Sequence, residues 1–372
     1  MWNRKSCFLL FPRFKLIGKA NKFVNKSSFT CCCHKAKVED RHLFIFGLGY
    51  LGKALAVQLV RQGWKVTGTK RTESVEKEIL ESGVEVIPFD TESSDDWNET
   101  LLQKLNLATH LLVCIPANQR GDPLLSKLGL PNLQKHRIRW VGYISSTLVY
   151  EASDSMSWID ENAPLAIQTK KASYYIAAEE QWKRWTKDCN IRLMIFRLSA
   201  LYGPSRSALD TLLRMQSIGW NIKEFFESSS FAGDVMVSRI HQMDACEKIA
   251  TSMLLEWTMP GNLCIVNLSD NLPCTRAECF DYAFQLLDED TIKAWRALHK
   301  IKGDEDLFTV ERSWKEVGKQ MRTRITEHKK GKRILNQKLK ALFGESLYFP
   351  TFFQGLLQVK NDILRRSLSE EP

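Results

Sequence analysis

The 372-residue sequence contains no apolar run approaching the roughly 20 residues needed to cross a bilayer, so no membrane span is expected. Its ten cysteines include no Cys-x-x-Cys pair. That argues against a zinc site, and no metal is expected. Cys31, Cys32 and Cys33 are consecutive, while Cys114, Cys189, Cys246, Cys264, Cys274 and Cys279 are scattered through apolar segments. Neither pattern is a disulfide framework, and a reducing compartment fits best. No internal repeat, Ser-His-Asp order or metal-ligand spacing stands out.

Acidic residues are missing altogether from residues 1–38. This locates the net charge of +10, which taken alone would suggest a nucleic-acid partner. Of the 53 Lys and Arg, nine lie in that segment, leaving 44 basic against 43 acidic residues elsewhere. The remainder has no overall basic field to attract a polyanion. A second basic stretch, 311–333, carries nine Lys and Arg against three acids, with Trp314 as its one aromatic residue. Without a stacking pattern it reads as a solvated helix or flexible insert, and no nucleic acid is expected. Residues 1–38 themselves have targeting-peptide composition. Seven Lys to two Arg, with Ser27, Ser28 and Thr30, point to the chloroplast, the mitochondrion being the alternative. A basic tail without an address is the plain alternative.

Periodic structure begins at Arg41. His42–Phe46 reads as a buried strand, followed by Gly47-Leu48-Gly49-Tyr50-Leu51-Gly52. Leu51, Leu55 and Leu59 then recur at helical spacing, with Gly63 as the stop. Further strands are expected over residues 64–69, 84–88, 111–115, 140–145 and 194–198, with helical patterns between most of them. Such alternation indicates an α/β fold, a doubly wound parallel Rossmann sheet drawing on residues from about Arg41 to Ser269. The expected domains are 1–38, a targeting peptide or basic tail, and 39–204, the dinucleotide-binding core. Residues 205–372 form a smaller substrate-side lobe interleaved with that core.

The glycine pattern gains meaning from standing between a strand and an amphipathic helix. Gly47 allows the tight turn, Gly49 lets backbone approach a pyrophosphate, and Gly52 permits close helix-on-strand packing. The helix start at Tyr50 and Leu51 then offers free N–H groups to phosphate. A carboxylate usually ends the second strand of an NAD site. Here the sequence reads Thr69-Lys70-Arg71-Thr72. Two cations and two hydroxyls suit a 2′-phosphate, which favours NADP, with NAD as the alternative. Asp90 ends the third strand, placed for an adenine amine or for a helix N-cap. Pro116 ends the fourth, where a dinucleotide would lie close to the backbone.

Together these segments resemble the extended short-chain dehydrogenase/reductase family, also called the NAD-dependent epimerase/dehydratase family. The resemblance rests on Gly47–Gly52, Tyr143–Tyr150, Arg197 with Leu201-Tyr202-Gly203-Pro204, Arg239-Ile240-His241 with Asp244, and Asn267–Pro273. Lys332-Arg333-Ile334-Leu335-Asn336, Leu339, Tyr348–Thr351 and Gly355-Leu356 are similar to a subgroup of atypical members. The resemblance implies a Tyr four residues before a Lys, whose charge lowers the Tyr pKa, and a Ser or Thr that orients a substrate oxygen. Ser146 matches the last position. The segment Lys171-Ala172-Ser173-Tyr174-Tyr175-Ile176-Ala177-Ala178-Glu179-Glu180, aligned on its Ala-Ala-Glu-Glu end, puts Lys171 where Tyr belongs and Tyr175 where Lys belongs. The two types are exchanged, and the phenol moves by about one helical turn, roughly 5.4 Å. Tyr174 is a further phenol, expected to point about 100° away from Tyr175. His241 with Asp244 could form a proton relay, though in the family that segment is mainly structural. Two readings follow. One is an oxidoreductase or epimerase acting on a small polar metabolite with Ser146, Tyr175 and Lys171. The other is a non-catalytic dinucleotide sensor or scaffold.

Overall fold

The strand His42–Phe46 (β1) is buried along its whole length. Its alternate side chains serve different cores. Leu43 and Ile45 pack with Leu51, Leu55 and Leu59 of the helix Tyr50–Arg61. Phe44 and Phe46 pack with Leu111, Val113, Tyr143 and Trp182 on the other side. A strand covered on both faces is apolar along most of its length, which is why Leu43 to Phe46 show no alternation.

In the computed structural model β1 lies within a seven-stranded parallel sheet. The other strands are β2 (Lys65–Lys70), β3 (Glu85–Pro88), β4 (His110–Val113), β5 (Trp140–Ser146), β6 (Arg192–Leu198) and β7 (Leu263–Leu268). Their order is β7-β6-β5-β4-β1-β2-β3, every pairing parallel. The order reverses between β1 and β4, and ligands of such sheets bind at the carboxyl ends beside this reversal. The structure describes residues 41–72, 77–92, 99–128, 137–152, 157–217, 233–255, 262–301 and 330–369. The targeting segment read in residues 1–38, and the basic stretch as far as residue 329, lie outside them.

The Rossmann sheet expected from the sequence is present, with corrected boundaries. The second strand is Lys65–Lys70 and the third Glu85–Pro88, because Trp64 and Val84 enter the core one residue before pairing begins. The fourth starts at His110, not Leu111, and ends at Val113. His110 is buried, its ring 5.0 Å from that of Trp64, so a polar residue opens an apolar strand. The fifth includes Ser146, and the sixth begins at Arg192, which pairs with Trp140. β7 went unread, inside a region whose pattern loosens.

A second core lies beyond Tyr202. Leu209, Leu212, Phe280, Phe284, Trp295 and Phe352 cluster there. Yet the helix Gln242–Leu254 and the helix Gln337–Phe343 contribute Ile249, Met253 and Leu339 to the sheet's own core. Residues 38–372 make one compact unit.

A buried ionic network fixes the sheet beneath the carboxyl ends. Glu179, on the helix Lys170–Asp188, is 1% exposed and Arg197, on β6, is 2% exposed. Arg197 donates bidentately, Nε to Oε1 at 3.1 Å and Nη2 to Oε2 at 2.8 Å. Ser145 Oγ donates to Glu179 Oε1 at 2.6 Å. Arg197 Nη1 donates to the Tyr150 hydroxyl at 3.0 Å, and that hydroxyl donates to Asn267 Oδ1 on β7 at 2.6 Å. Removing one partner leaves an uncompensated buried charge. Arg197→Met is expected to lower unfolding stability by about 3–5 kcal/mol in urea titration. A loss under about 1 kcal/mol would show that the network does not hold the fold.

Candidate functional site

Each glycine of the turn meets a different surrounding. Gly47 has φ +97° and donates its N–H to Thr69 Oγ1 at 3.0 Å. Leu48 N–H donates to the Thr69 carbonyl at 2.8 Å, which ties the turn to the end of β2. A Cβ at Gly52 would stand 2.4 Å from the Gly47 carbonyl oxygen, so only glycine lets the helix rest on the turn. A Cβ at Gly49 would meet nothing within 4 Å. That glycine faces open space, as a close ligand approach requires.

Gly49 is also the N-cap of the helix Tyr50–Arg61, with no side-chain cap and no acidic residue in the first turn. The free N–H groups and positive dipole end are therefore left for an anion. They border a cavity of about 770 Å³. Of the residues singled out in the sequence, Gly49, Tyr50, Leu51, Gly52, Pro116, Ser146 and Tyr175 line it. Its charged lining groups, among the described residues, are Arg206 and Lys332, with no carboxylate. This donor set suits a dinucleotide pyrophosphate. Tyr50 makes a structural tie as well: its hydroxyl donates to the Pro204 carbonyl at 3.0 Å, beneath the Arg206 guanidinium.

The other predicted residues are placed differently. Lys70 is half-buried and Arg71 exposed at the end of β2. Arg71 Nε lies 3.8 Å from Asp90 Oδ1. Asp90 accepts from the Glu92 N–H at 3.1 Å in a local turn. The expected pair of hydroxyls is also corrected. Thr69 is 1% exposed and its hydroxyl is engaged by Gly47, so it is not offered to a phosphate.

Lys171 is exposed and lines a neighbouring cavity of about 940 Å³, together with Tyr174. Leu148 and Tyr175 line both cavities. The exchanged pair thus shares the second cavity, and of the two only Tyr175 also lines the cavity beside the glycine turn. Burial raises the Tyr175 pKa above the ordinary phenol value. Ser146 Oγ accepts from the Leu148 N–H at 3.2 Å, leaving its own hydrogen to be donated into the cavity. His241 and Asp244 form no relay. His241 Nδ1 accepts from the Met243 N–H and caps its helix. Asp244 accepts from the N–H groups of Tyr348 and Phe349 at 2.6 and 3.1 Å.

Lys332 is the lining residue that sequence reasoning left without a role. It follows the short strand Lys330–Gly331, which pairs with Val235–Val237. Its Nζ donates to the carbonyls of Thr147 and Tyr150 at 3.0 and 2.6 Å, with Leu148 at 3.4 Å. The amine thus holds the turn that follows Ser146. Burial lowers its pKa to about 8. In competitive acylation read by mass spectrometry, Lys332 is expected to titrate near pH 8, against roughly 10.4 for an ordinary lysine. The folded pKa lies below the unfolded one, so the stability linked to this group is present at high pH and lost as pH falls towards 8. A midpoint above about pH 10 would mean the amine is solvated.

Residues 43–218 match the sequence profile of the NAD dependent epimerase/dehydratase family. Over 170 residues the chain is 29% identical to Protein YeeZ of Escherichia coli (strain K12), covering 44% of this chain and 59% of YeeZ. The match therefore spans less than two thirds of that relative. A functionally unknown conserved protein from Silicibacter pomeroyi DSS superposes with TM-score 0.60 at 26% identity, covering 87% of this chain and 99% of that one. dTDP-glucose 4,6-dehydratase from Bacillus anthracis str. Ames, in complex with NAD, superposes with TM-score 0.60 over 88% of this chain and 99% of that one. At 15% identity this second likeness is one of fold.

Proposed function

Starting from a chain whose residues 43–218 match the NAD dependent epimerase/dehydratase family, we propose that the protein is an NADP-binding oxidoreductase or epimerase of a small polar metabolite. The observation that carries this reading is the uncapped helix start behind Gly49, opening on a cavity that also holds Ser146 and Tyr175. A bound nicotinamide cofactor would supply hydride transfer at a carbon bearing oxygen. Gly49, Tyr50 and Leu51 would receive its pyrophosphate through backbone N–H groups. Ser146 would donate a hydrogen bond to the substrate oxygen and orient it. Tyr175, kept protonated by burial, would act as a second donor, not as a phenolate base.

The preference for NADP is supported by Lys70 and Arg71, held next to the turn by the two bonds to Thr69. The Arg71–Asp90 pair is exposed and long, so it is weak and Arg71 can turn to a phosphate. The full chain is expected to bind NADPH at least about tenfold more tightly than NADH, a difference of about 1.4 kcal/mol. Arg71→Asp should abolish that preference. Equal dissociation constants for the two cofactors, measured by calorimetry on the unaltered protein, would refute the assignment. In a carbonyl and sugar-nucleotide screen, Ser146→Ala is expected to reduce turnover by about a hundredfold or more.

A second reading, a non-catalytic NADP sensor or scaffold, is favoured by one specific observation. Lys171 lines only the neighbouring cavity, so no helix cation accompanies Tyr175 beside the glycine turn. Tight NADPH binding with no turnover across the screen would select it. The chloroplast address and the lobe boundary at residue 205 stand as parts of the same proposal.

A further inference from the structure

The helix Arg276–Leu286 begins with Cys274-Thr275-Arg276-Ala277-Glu278-Cys279. Thr275 is its N-cap. Thr275 Oγ1 accepts from the Glu278 N–H at 3.1 Å, and Glu278 Oε2 accepts from the Thr275 N–H at 2.7 Å. This reciprocal box defines its flanking pair, the residue before the cap and the fourth of the helix. Those positions normally hold two apolar side chains packed together. Here both are cysteines. Both residues are buried, in the same apolar cluster.

A cation stands against this pair. Arg239 Nη1 donates to Cys274 Sγ at 2.9 Å, as well as to the carbonyls of Val237 and Cys274. Cys279 also lines a cavity of about 310 Å³, together with Ser205, Arg206, Ser207 and Arg276. We propose that Cys274 and Cys279 are an oxidation site, a thiol pair that hydroperoxides convert to a disulfide. The capping box sets the sulfurs side by side, Arg239 favours a negative sulfur, and the cavity admits a small oxidant.

The acidity of the pair agrees with this geometry. Hydrogen bonding with Cys274 draws the Cys279 thiol below its ordinary value, against the effect of burial. The same bond, and then burial, push Cys274 well up. Burial alone pushes Cys114 up to about 12, although that residue lines the larger cavity. Burial also raises Cys246 and Cys264.

The reaction balances. The Cys279 thiolate attacks one peroxide oxygen, the O–O bond breaks, and hydroxide leaves with a proton as water. The sulfur is then a sulfenic acid. Cys274 attacks it, the S–S bond forms, the S–O bond breaks, and a second water leaves with the Cys274 proton. Two thiols give up two electrons and two protons, and hydrogen peroxide is reduced to two waters.

Arg276 lies between the two cysteines, so trypsin separates them unless they are bridged. The full chain is treated with hydrogen peroxide, blocked with iodoacetamide, digested without reductant and read by mass spectrometry. The expected product is a linked pair of peptides, about two hydrogens lighter than their sum and reversed by dithiothreitol. It should form at least about tenfold faster than oxidation of Cys114 or Cys246, and faster as pH rises and the thiolate fraction grows. In Cys274→Ser, which keeps the capping box, dimedone should trap a sulfenic acid at Cys279. Full alkylation of both cysteines after peroxide would overturn the proposal. So would a rate of link formation no greater than the oxidation of Cys114.

Discussion

The bidentate contact between Glu179 and Arg197 governs what this sheet can present at its carboxyl edge. Burying both charges costs several kcal/mol of hydration per ion, and the geometry must recover it. It does so by using nearly every remaining donor and acceptor. Ser145 completes Glu179, while Tyr150 and the Glu161 carbonyl complete Arg197. Tyr150 passes the constraint to Asn267, and Asn267 Nδ2 passes it to the Leu335 carbonyl. Four segments far apart in sequence are thereby locked to one centre. Ser146 follows Ser145 on the strand, and Tyr175 stands one helical turn before Glu179. Their positions at the cavity are consequences of the buried pair.

The same lock sets where the exchanged Tyr and Lys stand. Rotation of the helix Lys170–Asp188 is set by Glu179, so residues at four-residue intervals descend along one fixed line. Tyr175 falls at the cavity, and Lys171 lies about 6 Å further along the axis, in the adjoining space. Burial raises the pKa of the Tyr175 phenol. One of the two cations that line the cavity arrives from far along the chain. Lys332 binds the carbonyls of the turn after Ser146, supporting the serine from behind.

Where local chemistry decided structure, the sequence could be read. The glycine turn, the buried β1 and the exchanged helix positions all follow from residue type and spacing. So did Gly49, whose open side needs no partner to be identified. Failures came where a partner distant in sequence changed the meaning of a residue. Thr69 reads as a hydroxyl offered to a ligand, but Gly47 turns it inward. His110 stands just outside the strand expected over 111–115, but two tryptophan rings make it core. Glu179 served only to align the helix, because nothing local shows that Arg197 lies across from it. β7 was obscured because Asn267 breaks its apolar run, and that asparagine is polar for the sake of Tyr150.

Arg206 connects the cofactor-sized cavity to the smaller one bordered by Cys279, since it lines both. Its guanidinium also lies over Tyr50, the first residue of the phosphate-facing helix. A cation placed so, with no carboxylate lining the larger cavity among the described residues, makes that cavity favourable to anions independently of the cation pair at the end of β2. Anion capture therefore rests on two separate elements, a helix start supported by glycine and a guanidinium stacked on tyrosine. The exchange of Tyr and Lys touches neither. The features suited to a dinucleotide pyrophosphate are therefore independent of the helix positions at which Tyr and Lys are exchanged.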